Sequence, residues 1–260
     1  MKSSLLWRVT PKRGGPVSYL FGTMHVRDLR AFMWLDLANA CMEHCDIFAT
    51  EFDFSDTDHA AVEAVLCLPP DQLLNTFLKP GAWKNLEFYC QKKLGTSAEA
   101  MRHQHPMTVS MALTNALLAD EAARSLDETL WEHARSLGKS TTGVETFAEQ
   151  LQTLKNISFQ QHVKSLTWLL KNYGRQKRRL KKMLQWYQGG DLQQLYKAAK
   201  KDARGMRRVM LYERNQIMAG RFSEIAAEKS LFCAVGAGHL AGEKGMLRLL
   251  KKQDFKTVPL

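Results

Sequence analysis

The sequence predicts an α/β fold of the mixed, α+β kind: a small sheet built from the two ends of the chain, with a large helical insertion between them. Three observations lead to this. Short apolar, β-rich runs lie near both termini, Val17-Ser18-Tyr19-Leu20-Phe21 and Leu231-Phe232-Cys233-Ala234-Val235, and their length suits buried strands. Each run leads into a glycine-led turn that ends in histidine, Gly22-Thr23-Met24-His25 and Gly236-Ala237-Gly238-His239. The stretch between the two GxxH phrases reads as one helix after another.

Taken in order, residues 5–9 and 17–21 read as two strands joined through Pro11-Lys12-Arg13-Gly14-Gly15-Pro16, a turn-rich hairpin connection. Asp28 is placed to cap a helix over 29–45, where Phe32, Leu35, Leu37, Ala38 and Met42 form a broad apolar stripe. Asp46-Ile47-Phe48-Ala49-Thr50-Glu51-Phe52 is the next strand. The carboxyl end repeats this plan, with a strand at 231–235, the second GxxH, a helix from about 243 to 252 and a strand at 255–258. Each half therefore reads as a right-handed βαβ unit. In the middle, helical periods from 58 to about 111 are punctuated by Leu68-Pro69-Pro70, Lys79-Pro80-Gly81 and His105-Pro106. A helix follows at 127–137, then a short strand from Lys139 ending in Gly143-Val144-Glu145, a helix at 147–155, and long helices over 160–228. The organisation expected is one domain over 1–260. Its sheet comes from about 1–57 and 206–260 with a strand near 140–146, and the helical insertion covers about 58–205.

Composition narrows the function classes. With 45% hydrophobic and 24% charged residues the chain is a folded globular protein. No window holds eighteen uninterrupted apolar residues, so no membrane span is expected, and the apolar stretch after Met1-Lys2 is too short for a signal peptide, so a cytoplasmic location is expected. Five cysteines, an odd number without a Cys-x-x-Cys pair, suggest reduced thiols rather than a disulfide framework or zinc ribbon. The net charge of +11 is local: residues 164–210 carry fourteen Lys or Arg against two Asp, and the rest of the chain is near neutrality. The run Arg175-Gln176-Lys177-Arg178-Arg179-Leu180-Lys181-Lys182, with Trp168, Tyr173, Trp186 and Tyr187 nearby, is open to two readings, a contact to phosphate backbones or another polyanion and a solvated helix face.

Further motifs carry a resemblance. Leu20-Phe21-Gly22-Thr23-Met24-His25, Thr50-Glu51, Leu126-Asp127-Glu128-Thr129-Leu130 with Gly138-Lys139, Gly143-Val144-Glu145-Thr146, Arg214-Asn215 and Val235-Gly236-Ala237-Gly238-His239-Leu240-Ala241-Gly242 together resemble the TraB/GumN family, whose animal relatives are Tiki-type peptidases. The match runs from about Leu5 to Val258 in the family's order and spacing. Val144 stands where a leucine is common, and Ser125-Leu126 where a Gly-apolar pair is usual. The resemblance implies a TraB/GumN and erythromycin-esterase-like fold, a metal-assisted site around the two GxxH histidines and Glu51, and peptidase-like chemistry. Many bacterial relatives are exported, which separates their substrates from those of a cytoplasmic protein.

The residues support the same chemistry on their own terms. If the two GxxH strands are parallel in one sheet, their carboxyl ends share an edge, where open α/β sheets bind ligands. Imidazole nitrogen and carboxylate oxygen suit Zn, Mn or Co, and His25, Glu51 and His239 fit the role of metal ligands. Such an ion acidifies water and polarises a carbonyl, which is hydrolytic chemistry. Glu145 reads as a further ligand or a general base. Arg214 reads as a clamp for a substrate carboxylate or an oxyanion, and the two could equally form a structural ion pair. Asp127 and Asn215 read as residues that orient ligands, with helix capping the alternative for Asp127. The function expected is a metal-dependent hydrolase of a peptide or other carbonyl substrate. Its alternatives are an esterase or amidase on the same scaffold, and a non-catalytic polyanion or nucleic-acid binder using 164–210. The Cys41-Met42-Glu43-His44-Cys45 and His103-Gln104-His105-Pro106 clusters rank below this site, and the oligomeric state leaves no mark in the sequence.

Overall fold

The computed structural model describes residues 4–56, 65–118, 122–203 and 205–260. The expected helical stretch at 58–64 lies outside the described residues. Two compact units emerge: Met1–Asp56 with Glu121–Gln150 and Met183–Leu260, and Thr57–Asp120 with Leu151–Lys182.

The first unit contains a six-stranded mixed sheet. Its strands are β1 (Leu6–Pro11), β2 (Ser18–Thr23), β3 (Ile47–Thr50), β4 (Ser140–Gly143), β5 (Leu231–Gly236) and β6 (Phe255–Pro259), arranged β4-β3-β5-β2-β1-β6. β5 runs parallel to both β2 and β3, and β3 parallel to β4, while β1 is antiparallel to β2 and β6. The carboxyl ends of β2, β3, β4 and β5 therefore share one edge, as the paired GxxH phrases predict. Leu231 to Val235 of β5 are fully buried. Because successive side chains alternate faces, both faces of this central strand are covered, which is why its sequence is unbroken apolar rather than alternating. Phe232 packs between Phe21 and Phe48, with ring centroids 6.2 and 6.1 Å away. The edge strand β4, Ser-Thr-Thr-Gly, is partly exposed and correspondingly polar.

The crossover helices do not join neighbours. Helix Leu35–Glu43 connects β2 to β3, yet β5 lies between them, and helix Met246–Lys252 connects β5 to β6 across β2 and β1. The helix expected over 29–45 is interrupted. Asp28 caps a 3-10 turn, Leu29–Phe32, by accepting the Arg30 N–H at 3.1 Å, and the α-helix begins only at Leu35. Trp34 marks the break, where its indole donates to the Tyr187 carbonyl at 3.2 Å. The strand expected to run to Phe52 ends at Thr50, whose hydroxyl donates to the Phe52 carbonyl at 2.6 Å and turns the chain.

In the second unit, helices Pro80–Tyr89 and Pro106–Asn115 each begin with proline at the first turn, where its missing N–H costs nothing. Helix Phe159–Lys171 packs against both through Val163, Leu166, Leu169 and Leu170. His105 caps Pro106–Asn115 by accepting the Met107 N–H at 3.2 Å, and burial with His162 nearby lowers its pKa to about 4. His103 is exposed. Helix Tyr173–Gln188, which passes into the first unit after Lys182, buries Tyr173, Leu180, Leu184 and Tyr187 at helical spacing, so two of the four aromatics flanking the basic run are core residues.

Candidate functional site

The site is assembled at the carboxyl edge of the sheet. Thr23 ends β2 and delivers His25 two residues later; Gly236 ends β5 and leads into a 3-10 turn carrying His239. Glu51 follows β3. Beside it, the Val144 N–H donates to the Thr50 carbonyl at 2.9 Å and the Glu145 N–H to the Glu51 carbonyl at 2.7 Å, so pairing past the ends of β3 and β4 aligns the two glutamates. A capping box of Thr146 with Glu149 starts the helix Phe147–Lys155 directly after Glu145. Another, of Ser125 with Glu128, starts Leu126–Ser136 and fixes Asp127 in its first turn.

Both histidines face one oxygen. His25 Nε2 and His239 Nε2 each lie 3.8 Å from Oε1 of Glu51. Their Nδ1 atoms are held from behind, His25 by Asp127 Oδ2 at 2.8 Å and His239 by Asn215 Oδ1 at 2.6 Å. Asp127 also accepts the Thr23 hydroxyl at 2.6 Å, and Asn215 donates its amide to the Lys244 carbonyl at 2.7 Å, which turns its Oδ1 toward His239. With Nδ1–H donating on both rings, each Nε2 is turned to the shared space, where a cation would take the place of the second proton on His25.

The carboxylates are organised by one cation. Arg214 donates from Nε to both Glu145 oxygens at 3.0 and 2.9 Å, and from Nη2 to Glu145 Oε2 at 2.5 Å and Glu51 Oε2 at 2.6 Å. The ion pair with Glu145, one of the two readings of the sequence, is thus present in the structure. A short π-helical segment, Arg208–Glu213, immediately precedes Arg214, and such segments are frequent at functional sites. Gly236 N–H donates to Glu51 Oε1 at 2.8 Å. A Cβ on Gly236 would stand 3.2 Å from Glu51 Oε1, 3.5 Å from His25 Nε2 and 3.6 Å from His239 Cδ2. A side chain there would occupy the space between the three groups and press on Glu51 Oε1.

Charge states follow from these contacts. The Asp127 carboxylate raises the His25 pKa well above the ordinary imidazole value, although the ring is 58% exposed. Burial pushes the Glu51 carboxyl up, but the groups facing it, His239, Arg214 and His25, draw it well below its usual range. Of these Arg214 and His25 carry the standing charge, because burial lowers the His239 pKa to about 4 and leaves that ring neutral near pH 7. Burial raises the Glu145 pKa against the pull of Arg214.

These shifts predict a pH effect. A histidine whose folded pKa is depressed stabilises the fold above its unfolded value, and that stability is lost as pH falls toward the folded pKa. The fall from about 6.5 to about 4 corresponds to about 3 kcal/mol. The thermal stability of the metal-free protein is therefore expected to fall as pH is lowered between those values, with the slope reduced in His239→Gln. An equal slope in both proteins would rule His239 out as the source.

The structure thus brings His25, Glu51, Glu145, Arg214, Asp127, Asn215 and His239 into one connected cluster. Among the described residues no three His, Cys, Asp or Glu side chains stand close enough to hold an ion as they are, which agrees with the 3.8 Å approaches and with a Glu51 already accepting from Gly236 and Arg214. The donor set nevertheless fits a divalent cation. Two oriented imidazole nitrogens and a carboxylate oxygen border the Gly236 cradle, a donor set of the kind divalent transition metals take. Elsewhere, Cys41 and Cys45 are buried while His44 is exposed, so that pentapeptide does not converge.

Sequence reasoning missed three contributors. Tyr187, fully buried, donates its hydroxyl to the Gly22 carbonyl at 3.0 Å and so anchors the first GxxH turn from a helix far along the chain. Gln150 Nε2 approaches Glu51 Oε2 at 3.5 Å, and Thr23 holds Asp127. The signal for Thr23 lay inside the GxxH phrase itself, and for Gln150 in its place one helical turn after Thr146. Nothing local distinguished Tyr187 from the other aromatics beside the basic run.

A model of the TraB/PrgY/gumN family matches residues 5–259. Among curated proteins, Metalloprotease TIKI2 of Danio rerio is 23% identical over 98% of this chain and 60% of its own length. Metalloprotease TIKI1 of Danio rerio and of Homo sapiens are each 23% identical over 98% of this chain, and over 63% and 61% of their lengths. The chain therefore spans about three fifths of the curated relatives it matches. No solved structure matches.

Proposed function

Since the chain belongs to the TraB/PrgY/gumN family, we propose that it is a divalent-metal-dependent hydrolase acting on peptide bonds. The observation that carries this is the approach of His25 Nε2 and His239 Nε2 to the same Glu51 oxygen, each ring tied at Nδ1 by a buried acceptor. His25, Glu51 and His239 would hold the ion. Bound there, Mn, Co or Zn supplies a Lewis acid and water of lowered pKa. The metalloprotease names of the relatives support the peptide substrate.

The other residues have separable tasks. Asp127 and Asn215 fix the ring orientations from behind. Glu145 aims the Arg214 guanidinium, which suits it better to positioning than to free general-base work, since both its oxygens accept from that group. Nη1 of Arg214 makes no hydrogen bond among the described residues, so it is the donor we assign to the substrate carbonyl oxygen as negative charge develops there. We read the protein as cytoplasmic, on five cysteines that are all free thiols.

The test is metal analysis of protein purified without chelator, together with turnover of a mixed peptide library. Bound metal with cleavage that stops on chelation and returns on metal addition is the expected result. No metal and no turnover, alongside tight and salt-sensitive binding of nucleic acid, would instead favour the polyanion-binding alternative, whose exposed cations include Arg175, Arg178 and Lys181.

A further inference from the structure

A second cavity lies in the sheet-containing unit and shares no residue with the cluster just described. It measures about 460 Å³, within the range of small-molecule sites. Trp7, Leu192, Leu240 and Leu247 give it apolar walls, and Arg248 and Lys251, one turn apart on helix Met246–Lys252, also line it.

Three features suit a ligand with an apolar body and an anionic head. Trp7 is already satisfied, its indole donating to the Ser4 carbonyl at 3.0 Å, so it presents an apolar surface. Arg248 and Lys251 are exposed, and neither makes an ion pair or hydrogen bond through its side chain among the described residues. The one carboxylate in the lining, Asp191, is turned to capping and accepts the Gln194 N–H at 3.1 Å. A core-like wall beside two uncommitted cations is complementary to a small hydrophobic carboxylate.

The wall is also built with little slack. Gly242, which lines the cavity, has φ +89, and a Cβ there would lie 2.3 Å from the Tyr196 ring, so neither its backbone conformation nor its surroundings admit a side chain. The same loop runs from His239 to Lys244, whose carbonyl accepts from Asn215. A ligand resting on Leu240, Ala241 and Gly242 therefore rests on the segment that carries the second histidine.

We propose that this cavity is a binding site for a small amphipathic carboxylate, a medium-chain acid being the chemistry that matches it. The site is separate from the proposed peptide-bond chemistry and does not depend on it.

The probe is decanoate, with decanol as its neutral counterpart, titrated against the full chain and followed by Trp fluorescence and by calorimetry, with metal neither added nor required. Saturable binding of one decanoate per chain is expected, at least about tenfold tighter than decanol because the head group gains a charge-assisted partner. Arg248→Gln with Lys251→Gln should remove that preference while leaving the apolar component. Leu247→Trp, which fills the cavity, should abolish both, provided its circular dichroism matches the parent. Bound ligand should also raise the melting temperature of the parent and not of Leu247→Trp. Equal affinity for decanoate and decanol, a preference that survives Arg248→Gln with Lys251→Gln, undiminished binding to a folded Leu247→Trp, or no saturable binding would each overturn the proposal.

Discussion

Replacing Arg214 with methionine is expected to destabilise the metal-free protein by about 3–5 kcal/mol, the range for breaking a buried ion pair from one side. Its side chain is 11% exposed and holds Glu145, at 1%, and Glu51, at 13%. Removing the guanidinium leaves two carboxylates in a site that no longer compensates either. Acidification supplies protons in place of the lost cation, so the deficit should shrink as pH falls from neutrality toward the carboxylate range. Adding Glu145→Gln to the variant should recover part of the loss by the same reasoning. Urea unfolding at pH 7.5 and pH 5 measures all of this. A midpoint unmoved by Arg214→Met would show that the cluster contributes nothing to stability.

Metal affinity should divide the cluster into ligands and supports. His239→Ala is expected to weaken Mn, Co or Zn binding by at least about tenfold, and Asp127→Ala by about 10- to 100-fold even though Asp127 lies behind the His25 ring, because partners that orient a ligand carry that much of the affinity. Glu145→Gln should keep most of the metal while losing turnover, since its task is to align Arg214. Calorimetry on the three variants decides among these roles. Unchanged affinity in His239→Ala would remove that histidine from the ligand set, and complete loss in Glu145→Gln would move Glu145 into it.

Much of the fold was legible because the chain's local chemistry is consistent. The unbroken apolar run of β5 marks a strand covered on both faces, and the prolines at 80 and 106 mark helix starts that the structure places at those residues. The legibility failed where a side chain from elsewhere intervened. The break near Trp34 coincides with its indole meeting the Tyr187 carbonyl, and the early end of β3 with a bond from Thr50 back to its own turn. The basic run with its aromatics was ambiguous for a similar reason: helical spacing is the same whether Tyr173 and Tyr187 stack on a ligand or fill a core, and burial decides for the core.

The sequence by itself singled out the candidate residues and the strand ends on which the histidines and glutamates sit, since GxxH after an apolar strand and a glutamate at the end of another are local patterns. Tertiary structure alone decided their company. That both imidazoles address one oxygen of Glu51 follows from β5 lying between β3 and β2, an order no periodicity encodes. That Arg214 reaches Glu51 across 163 residues, and Gly236 across 185, depends on closing long loops whose entropy only the finished packing repays. Local propensity sets elements independently of one another, whereas a site made from four strand ends exists only when their order and direction are fixed together.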